Sequence, residues 1–522
     1  MSVKSKLGNY RFQKFCDNEL VIAIKIYYVY FMDADILSRI QFALTAGFHF
    51  IFPPITIGFS IFLVIVEFMW IKTNDKKYLI ASKFFAKLFA MLFAVGVATG
   101  LIMIFQFGTN WATYSQFVGD VFGSPLAIEA VFAFFMESTF LAIVLFGWNK
   151  IGKKAHIFAT IMVCIGSHLS AIWIIAANSF MQTPDGYTLV IKSDTSTTPD
   201  KWIELPKDYV VSSEEAPNMK AQITDFWAMA LNNSTLDRFT HTVCASWLSG
   251  SLLAAGICSY YILRRRKESI FAIPCLKIAL CFAGISSLAV LFTGHSSAVT
   301  LLDTQPEKLA AFEAQFETEK NAPLYIFGIV DEAQKKVHGL KINGLFSLLT
   351  YGKFDVETKG LNSLPPDDFI RKAEKKNLTQ AEIEKIRPSY HPPVQFCFQT
   401  FRIMVYIGTS IFALLTLGFY LWYKKKLTDL SSKLTKIFMI LTLPSCILPI
   451  LASQFGWAAA EVGRQPWIVW RILKTSDAIS KNISGAEVLF SIILFCTLFL
   501  IVSGIFCIFF FKKIKNGTQG DL

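Results

Sequence analysis

The sequence predicts an all-α membrane protein of nine transmembrane helices, and three observations carry that prediction. The 522 residues are 53% hydrophobic and only 17% charged, with a mean hydropathy of +0.47. Nine apolar stretches approach the roughly 20 residues that cross a ~30 Å hydrocarbon core, at 40–70, 85–106, 126–147, 157–180, 241–263, 272–294, 396–422, 434–456 and 487–511. The basic residues gather in alternate connections between those stretches.

Residues 1–31 form an N-terminal extension. Lys4, Lys6, Arg11 and Lys14 precede an apolar run from Leu20 to Met32 that Lys25 interrupts, too short to span. It is like a signal sequence without a small-residue cleavage site, and Met32 is the expected translational start. The first six spans occupy residues 32–294, with a loop at 181–240. A second long loop covers 295–395, and the last three spans and a basic tail fill 396–522.

The connections set the orientation. Lys72, Lys76, Lys77 and Lys83 follow the first span, Lys150, Lys153 and Lys154 the third, and Arg264 to Lys267 the fifth. Lys424 to Lys426, Lys433 and Lys436 follow the seventh, and Lys512, Lys513 and Lys515 the ninth. Basic loops stay inside, so the C-terminus is expected in the cytoplasm, with the N-terminal side of the first span and both long loops outside. The net charge of +12, distributed in this way, argues against nucleic acid as a partner. The ten cysteines show no CxxC spacing and read as packing residues. The 50 phenylalanines read first as lipid-facing bulk.

Charged residues near hydrocarbon are costly unless something compensates them. In the first span, RIQFALTAGFHF carries His49 close to the outer face. RFTHTV opens the fifth with His241, and FRIMVYIG in the seventh holds Arg402 and Met404. Histidine with methionine is the axial pair of a low-spin haem, although singly each reads as a packing residue. The eighth span ends in GWAAAEVGRQPW, with Trp457, Glu461 and Arg464. His49, His241, Met404 and Glu461 thus lie at similar depth on four helices. PLAIEAVFAFFMEST in the third span carries Glu129 and Glu137, which differ by roughly 80° around a helix and ~12 Å along it. Buried carboxylates of this kind suit transient proton carriers. An ion path through the same acids and histidines is the competing reading, but transporters commonly show internal repeats, and the halves of this chain do not match.

Seven segments in order, RIQFALTAGFHF, GVATGLIMIFQFGTNW, GDVFGSPLAIEAVFAFFMEST, GSHLSAIWI, the His241 segment, FRIMV and GWAAAEVGRQPW, resemble subunit I of the cytochrome bd quinol oxidases. The resemblance covers about Asp35 to Phe511. It implies two haem b groups, one low-spin and one high-spin, and one haem d. His241 and Met404 would ligate the low-spin haem b, and His49 and Glu461 the two high-spin haems, in an order left open. Glu129 and Glu137 would serve proton delivery, Arg402 and Arg464 would balance propionates or carboxylates, and Trp457 would sit between haems.

The loop at 295–395 would bind quinol through Lys308 and Glu313, whose EKLAAFEAQFE segment by pattern alone is a solvated amphipathic helix. Ubiquinol or menaquinol would be oxidised by O2 at a bacterial inner membrane, with charge separation and no proton pump. Subunit II and a small single-helix subunit would be partners. Three departures stand out: Ile104 replaces a glutamate frequent in relatives, His168 replaces an asparagine, and the quinol loop is of the shorter form. A relative with only b-type haems is the variant reading.

Overall fold

The computed structural model describes residues 33–192, 202–207 and 209–518; the extension 1–31 and the expected start at Met32 lie outside the described residues. Among those described, eight helices are long and apolar enough to cross a membrane: Ala34–Thr73, Lys76–Thr109, Gly119–Phe146, Lys153–Gln182, Thr235–Leu263, Ser269–Thr304, Val394–Tyr423 and Gly485–Asn516. The pair Lys433–Thr442 and Ile447–Val462, bent by 46°, makes a ninth crossing if it is taken as one span. Numbered 1 to 9 in chain order, with the bent pair as span 8, these helices coincide with the nine apolar stretches. Each overshoots the hydrocarbon thickness, so the extra turns stand in the loops.

Three spans are broken, two of them where chemistry was expected. In span 1, the helix Ala34–His49 stops and a second, Phe52–Thr73, begins with proline in its first turn. Pro53 lacks an N–H and its ring crowds the carbonyl four residues back, which is that of His49. Span 3 passes through a π-helical turn, Glu129–Phe134, a wide turn frequent at functional sites. Span 8 breaks around Pro444, where the Ser445 hydroxyl donates to the Thr442 carbonyl at 2.7 Å and satisfies one group the break frees.

Small residues let the spans close. A Cβ on Gly58 would stand 2.1 Å from the Ser246 carbonyl oxygen, and one on Gly250 2.1 Å from the Phe59 nitrogen. Spans 1 and 5 therefore cross backbone to backbone, as membrane helices do at small residues. Around this crossing, in the half of the bundle nearest the basic connections, Phe59, Phe62, Phe84, Phe85, Phe89 and Phe271 are fully buried with Tyr261 and Phe438. The phenylalanines are therefore not only lipid-facing bulk; in this half they form the core. His49 and His241 lie in the other half.

The two long loops fold on their own small frameworks and are not purely helical. Loop 181–240 holds an antiparallel sheet with Tyr187–Lys192 between Trp202–Leu205 and Met219–Ile223. Loop 295–395 holds a hairpin of Leu324–Asp331 and Lys336–Ile342 and two short helices, Asp367–Glu374 and Gln380–Ile386. Ile370, Ile383 and Tyr390 of this helical pair pack on Trp467 and Trp470 beyond span 8. Nine cysteines among the described residues are free, as the missing CxxC spacing implied.

Candidate functional site

His49 and His241 are held by the same device. His49 Nδ1 lies 2.9 Å from the Thr99 hydroxyl of span 2, and that hydroxyl donates to the Val95 carbonyl at 2.9 Å. With the hydroxyl hydrogen committed to the helix, Nδ1–H must be the donor, which leaves the Nε2 lone pair free. His241 Nδ1 lies 3.1 Å from the Thr293 hydroxyl of span 6, which in turn donates to the Ala289 carbonyl at 2.8 Å. In each case a glycine follows the threonine, and the ring lies against it: a Cβ at Gly100 would meet His49 Cε1 at 3.0 Å, and one at Gly294 His241 Cε1 at 3.1 Å. Fixing one imidazole nitrogen by hydrogen bonding orients the other as a ligand and raises its basicity. Nε2 of each ring is then the atom that would be available to an iron.

Span 8 draws the other candidates together. The Sδ of Met404 lies against Gly456, 2.7 Å from where a Cβ would be. The adjacent Trp457 turns toward span 1, with its ring centroid 6.5 Å from that of Phe50, and a Cβ on Gly47 would stand 3.9 Å from its Cζ3. Gln454 fastens the same contact by donating to the Gly47 carbonyl at 2.7 Å. One turn beyond Trp457, Glu461 accepts from Asn178 at 3.1 Å, from Gln182 at 3.2 Å and from Arg464 at 2.5 Å. Trp457 thus stands between the neighbours of His49 on one side and the methionine contact on the other.

Around Glu461 the charges do not balance. Arg464 and Lys308 are buried and Arg238 half-buried near one carboxylate; Arg238 donates to Asn178, and Lys308 Nζ to Gln182 and, at 2.5 Å, to Gln305. Arg238 Nε, Arg464 Nη1 and Arg402 Nε are buried without a partner. Buried polar groups normally find partners, so orphaned guanidinium nitrogens beside an excess of positive charge fit an anionic group such as a haem propionate. Burial, with the Arg238 and Arg464 charges adding to it, pushes the Lys308 ammonium well below the usual lysine range.

The short helix Pro306–Glu313 corrects one expectation. Every residue from Glu307 to Glu313 is buried, so the segment is not a solvated amphipathic helix. It is wedged onto span 8 at Gly463, where a Cβ would stand 2.9 Å from Lys308 Cγ and 3.0 Å from Phe312 Cε1. Phe312 stacks on Phe401 at 4.8 Å, and Glu313 pairs with Arg402, whose guanidinium lies 5.2 Å from the Phe398 ring centre. Beside Arg402, between the loop hairpin and span 7, an apolar groove of about 500 Å³ is lined by Leu324, Ile326, Val405, Tyr406, Thr409 and Ala413.

Glu129 and Glu137 both face span 4, Glu129 accepting from Ser170 at 2.8 Å and Glu137 from Ser167. Gly166 allows this approach, since a Cβ there would stand 3.0 Å from Glu137 Cβ. Ile104 is 58% exposed on span 2. His168 has both nitrogens engaged: Nδ1 lies 2.7 Å from the Cys164 carbonyl, and Nε2 accepts from Trp247 Nε1 at 2.9 Å. It is a neutral link between spans 4 and 5.

Sequence reasoning missed Thr99, Thr293, Gly100, Gly294, Asn178, Gln182 and Arg238. A signal for the first four was present, because a Thr-Gly pair occurs in the spans that flank both histidines.

The family model for cytochrome bd terminal oxidase subunit I matches residues 37–518. The chain is 34% identical to the cytochrome bd ubiquinol oxidase subunit 1 of Bacillus subtilis, covering 94% of this chain and 95% of that one. It is 32% identical to the cytochrome bd-II ubiquinol oxidase subunit 1 of Escherichia coli, covering 89% and 94%. Among solved structures, the bd oxidase from Geobacillus thermodenitrificans superposes with a TM-score of 0.76 at 27% identity, over 93% of this chain and 99% of that one.

Proposed function

Since the chain belongs to the cytochrome bd terminal oxidase subunit I family, whose members oxidise quinol and reduce O2, we propose specific roles for its residues within that reaction. The protein is a multi-pass membrane protein, a haem-bearing quinol oxidase subunit that works in complex with other subunits. His241 and Met404 hold a low-spin haem b, and His49 and Glu461 are the ligands of a high-spin haem b and a haem d. The observation that carries this assignment is the pair of Thr-Gly clamps that leave Nε2 of His49 and His241 free.

Haem, when bound, supplies the electron transfer and oxygen chemistry. The rest falls to the chain. Lys308 and Glu313 bind the quinol headgroup, with the tail of ubiquinol or menaquinol in the groove beside Arg402. Arg402, Arg464 and Arg238 neutralise propionates, and Trp457 fills the space between the haem positions. Glu129 and Glu137 carry protons from the cytoplasmic side, without Ile104. Protons from quinol leave on the outer (periplasmic) side, so charge is separated across the bacterial inner membrane without a pump. Subunit II and a small single-helix subunit complete the assembly. The domain plan follows: residues 32–294 and 396–522 hold the cofactors, and 295–395 receives the quinol.

The test is a reduced-minus-oxidised spectrum of the purified complex. Low-spin haem b bands with the long-wavelength band of a chlorin-type haem support the assignment. Haem b bands alone point to the all-b variant, and a folded complex without haem overturns the ligand set.

A further inference from the structure

Span 4 carries one polar stripe along most of its length. His156, Thr160, Ser167, Ser170, Asn178 and Gln182 fall within about 120° of one another at 100° per residue, and each bonds to a neighbouring span or to Glu461. The outer members reach Glu461, and the middle ones Glu137 and Glu129. The innermost, His156, lies three residues past Lys153, where the helix starts, and it reaches an acid the proposed mechanism does not use.

His156 Nδ1 lies 2.6 Å from Glu67 Oε1 of span 1, and the Thr160 hydroxyl is 2.6 Å from Glu67 Oε2. His156 and Glu67 are each 1% exposed, and the Trp148 ring covers the imidazole at 3.8 Å. The other nitrogen, Nε2, has the Val144 carbonyl at 3.2 Å. A carbonyl only accepts, so Nε2 carries a hydrogen in every state. Nδ1 and Oε1 then share one proton, as imidazolium with carboxylate or imidazole with carboxylic acid. The two forms have the same net charge, which lets a dry site hold a transferable proton without an isolated buried ion. The nearest free-standing charge, Lys153, is turned away, bonded to Asn74 at 2.5 Å and lying over Trp70.

From this pair the hydroxyls and a thiol step upward. Thr160 is followed one turn on by Cys164, which bonds to Ser60 of span 1, then by Ser167 on Glu137 and Ser170 on Glu129. The rise from His156 to Ser170 is ~21 Å. We propose that Glu67 and His156 form the proton-loading station on the cytoplasmic side that recharges Glu137. The shared proton moves from Nδ1 to Glu67, which gives a proton to the Thr160 hydroxyl as that hydroxyl releases its own toward Cys164 and Ser167. The Glu137 carboxylate becomes a carboxylic acid, the pair is left as imidazole with carboxylate, and water on the basic side returns one proton to it. One proton is relocated, and nothing is oxidised or reduced. The inference rests on the reading that Glu137 takes cytoplasmic protons.

The experiment uses the intact oxidase complex in liposomes, with proton uptake followed by a pH dye during a single turnover with O2. Glu67→Gln keeps the hydrogen-bonding shape and removes the transferable proton. Proton uptake is expected to slow by about 100-fold or more, the range of a lost proton-transfer group, while haem content and reduction of the low-spin haem by quinol stay unchanged. Glu67→Asp should recover part of the rate. Wild-type uptake in a fully haem-loaded Glu67→Gln complex overturns the proposal. If Glu67→Gln fails to assemble, His156→Gln retains a donor for the Val144 carbonyl and is expected to slow uptake equally; a wild-type rate there overturns it too. Glu137→Gln separates the two readings: if it leaves uptake intact, the role proposed for Glu137 falls together with this one. If it blocks uptake and Glu67→Gln does not, only the loading station falls.

Discussion

The His49 and His241 sites use the same local construction and differ on the side they leave open. Each ring is tied through Nδ1 to a threonine whose hydroxyl is spent on its own helix, and each lies on the next glycine. Span 7 brings Met404, whose Sδ lies against Gly456, and Arg402, bound to Glu313 of loop 295–395; under the proposed ligation Met404 would face His241. The residues beside His49 in sequence meet Trp457 and the Gln454 amide instead. The clamp orients an imidazole and says nothing about spin state or potential. Those follow from what the facing helix offers, because a thioether on the sixth position favours low spin and a high potential.

The largest effect should come from removing the rings. His241→Ala is expected to abolish the low-spin haem band and leave high-spin absorption, and His49→Ala to remove one of the two high-spin haems and leave the low-spin band. A single variant that removes both bands would show that the two sites are not separable. Next come the hydroxyls. Thr293→Val and Thr99→Val should each weaken retention of the haem at their own site by about 10- to 100-fold, as loss of an outer-shell partner does; haem extraction under graded detergent measures it. Equal loss at both sites from either variant would break the comparison.

Smaller changes test the glycines. Gly100→Ala and Gly294→Ala put a methyl about 3 Å from the ring, and an overpacking cost of about 1 kcal/mol predicts roughly fivefold lower occupancy at the adjoining haem only. The weakest effect lies outside the membrane. Because burial and neighbouring cations lower the folded-state pKa of Lys308, the unfolded chain binds more protons between that lowered value and the ordinary lysine value of about 10.4. Stability contributed at this site therefore rises with pH across that window. Lys308→Met should flatten the rise of melting temperature with pH, and an unchanged slope would place the ammonium in an ordinary environment.

The helices were legible because crossing a membrane demands a length of apolar sequence, and His49, His241, Glu129, Glu137 and Glu461 were legible because such residues are rare there. The partners were not. Thr99 lies 50 positions from His49 and Thr293 52 from His241, and nothing in an apolar run says which hydroxyl meets which ring. The π turn at Glu129 escaped as well; a regular helix was assumed, yet both carboxylates still reach span 4. Burial of Pro306–Glu313 could not be seen because its pattern is amphipathic and its cover comes from Gly463, 150 residues later. Glu67 and His156 lie near the basic connections, where charged residues need no explanation until the geometry shows them enclosed.

The break in span 8 also determines what kind of variation the site can absorb. Gly456, Trp457, Glu461 and Arg464 ride on one rigid piece, Ile447–Val462 and its exit turn. A residue inserted within that piece would turn all contacts beyond it by about 100°, disturbing the methionine, the tryptophan and the glutamate together. The same insertion between Thr442 and Ile447 meets a stretch already out of helical register. The hinge thus acts as a mechanical buffer, isolating a precision mount from changes in membrane thickness or loop length on the far side.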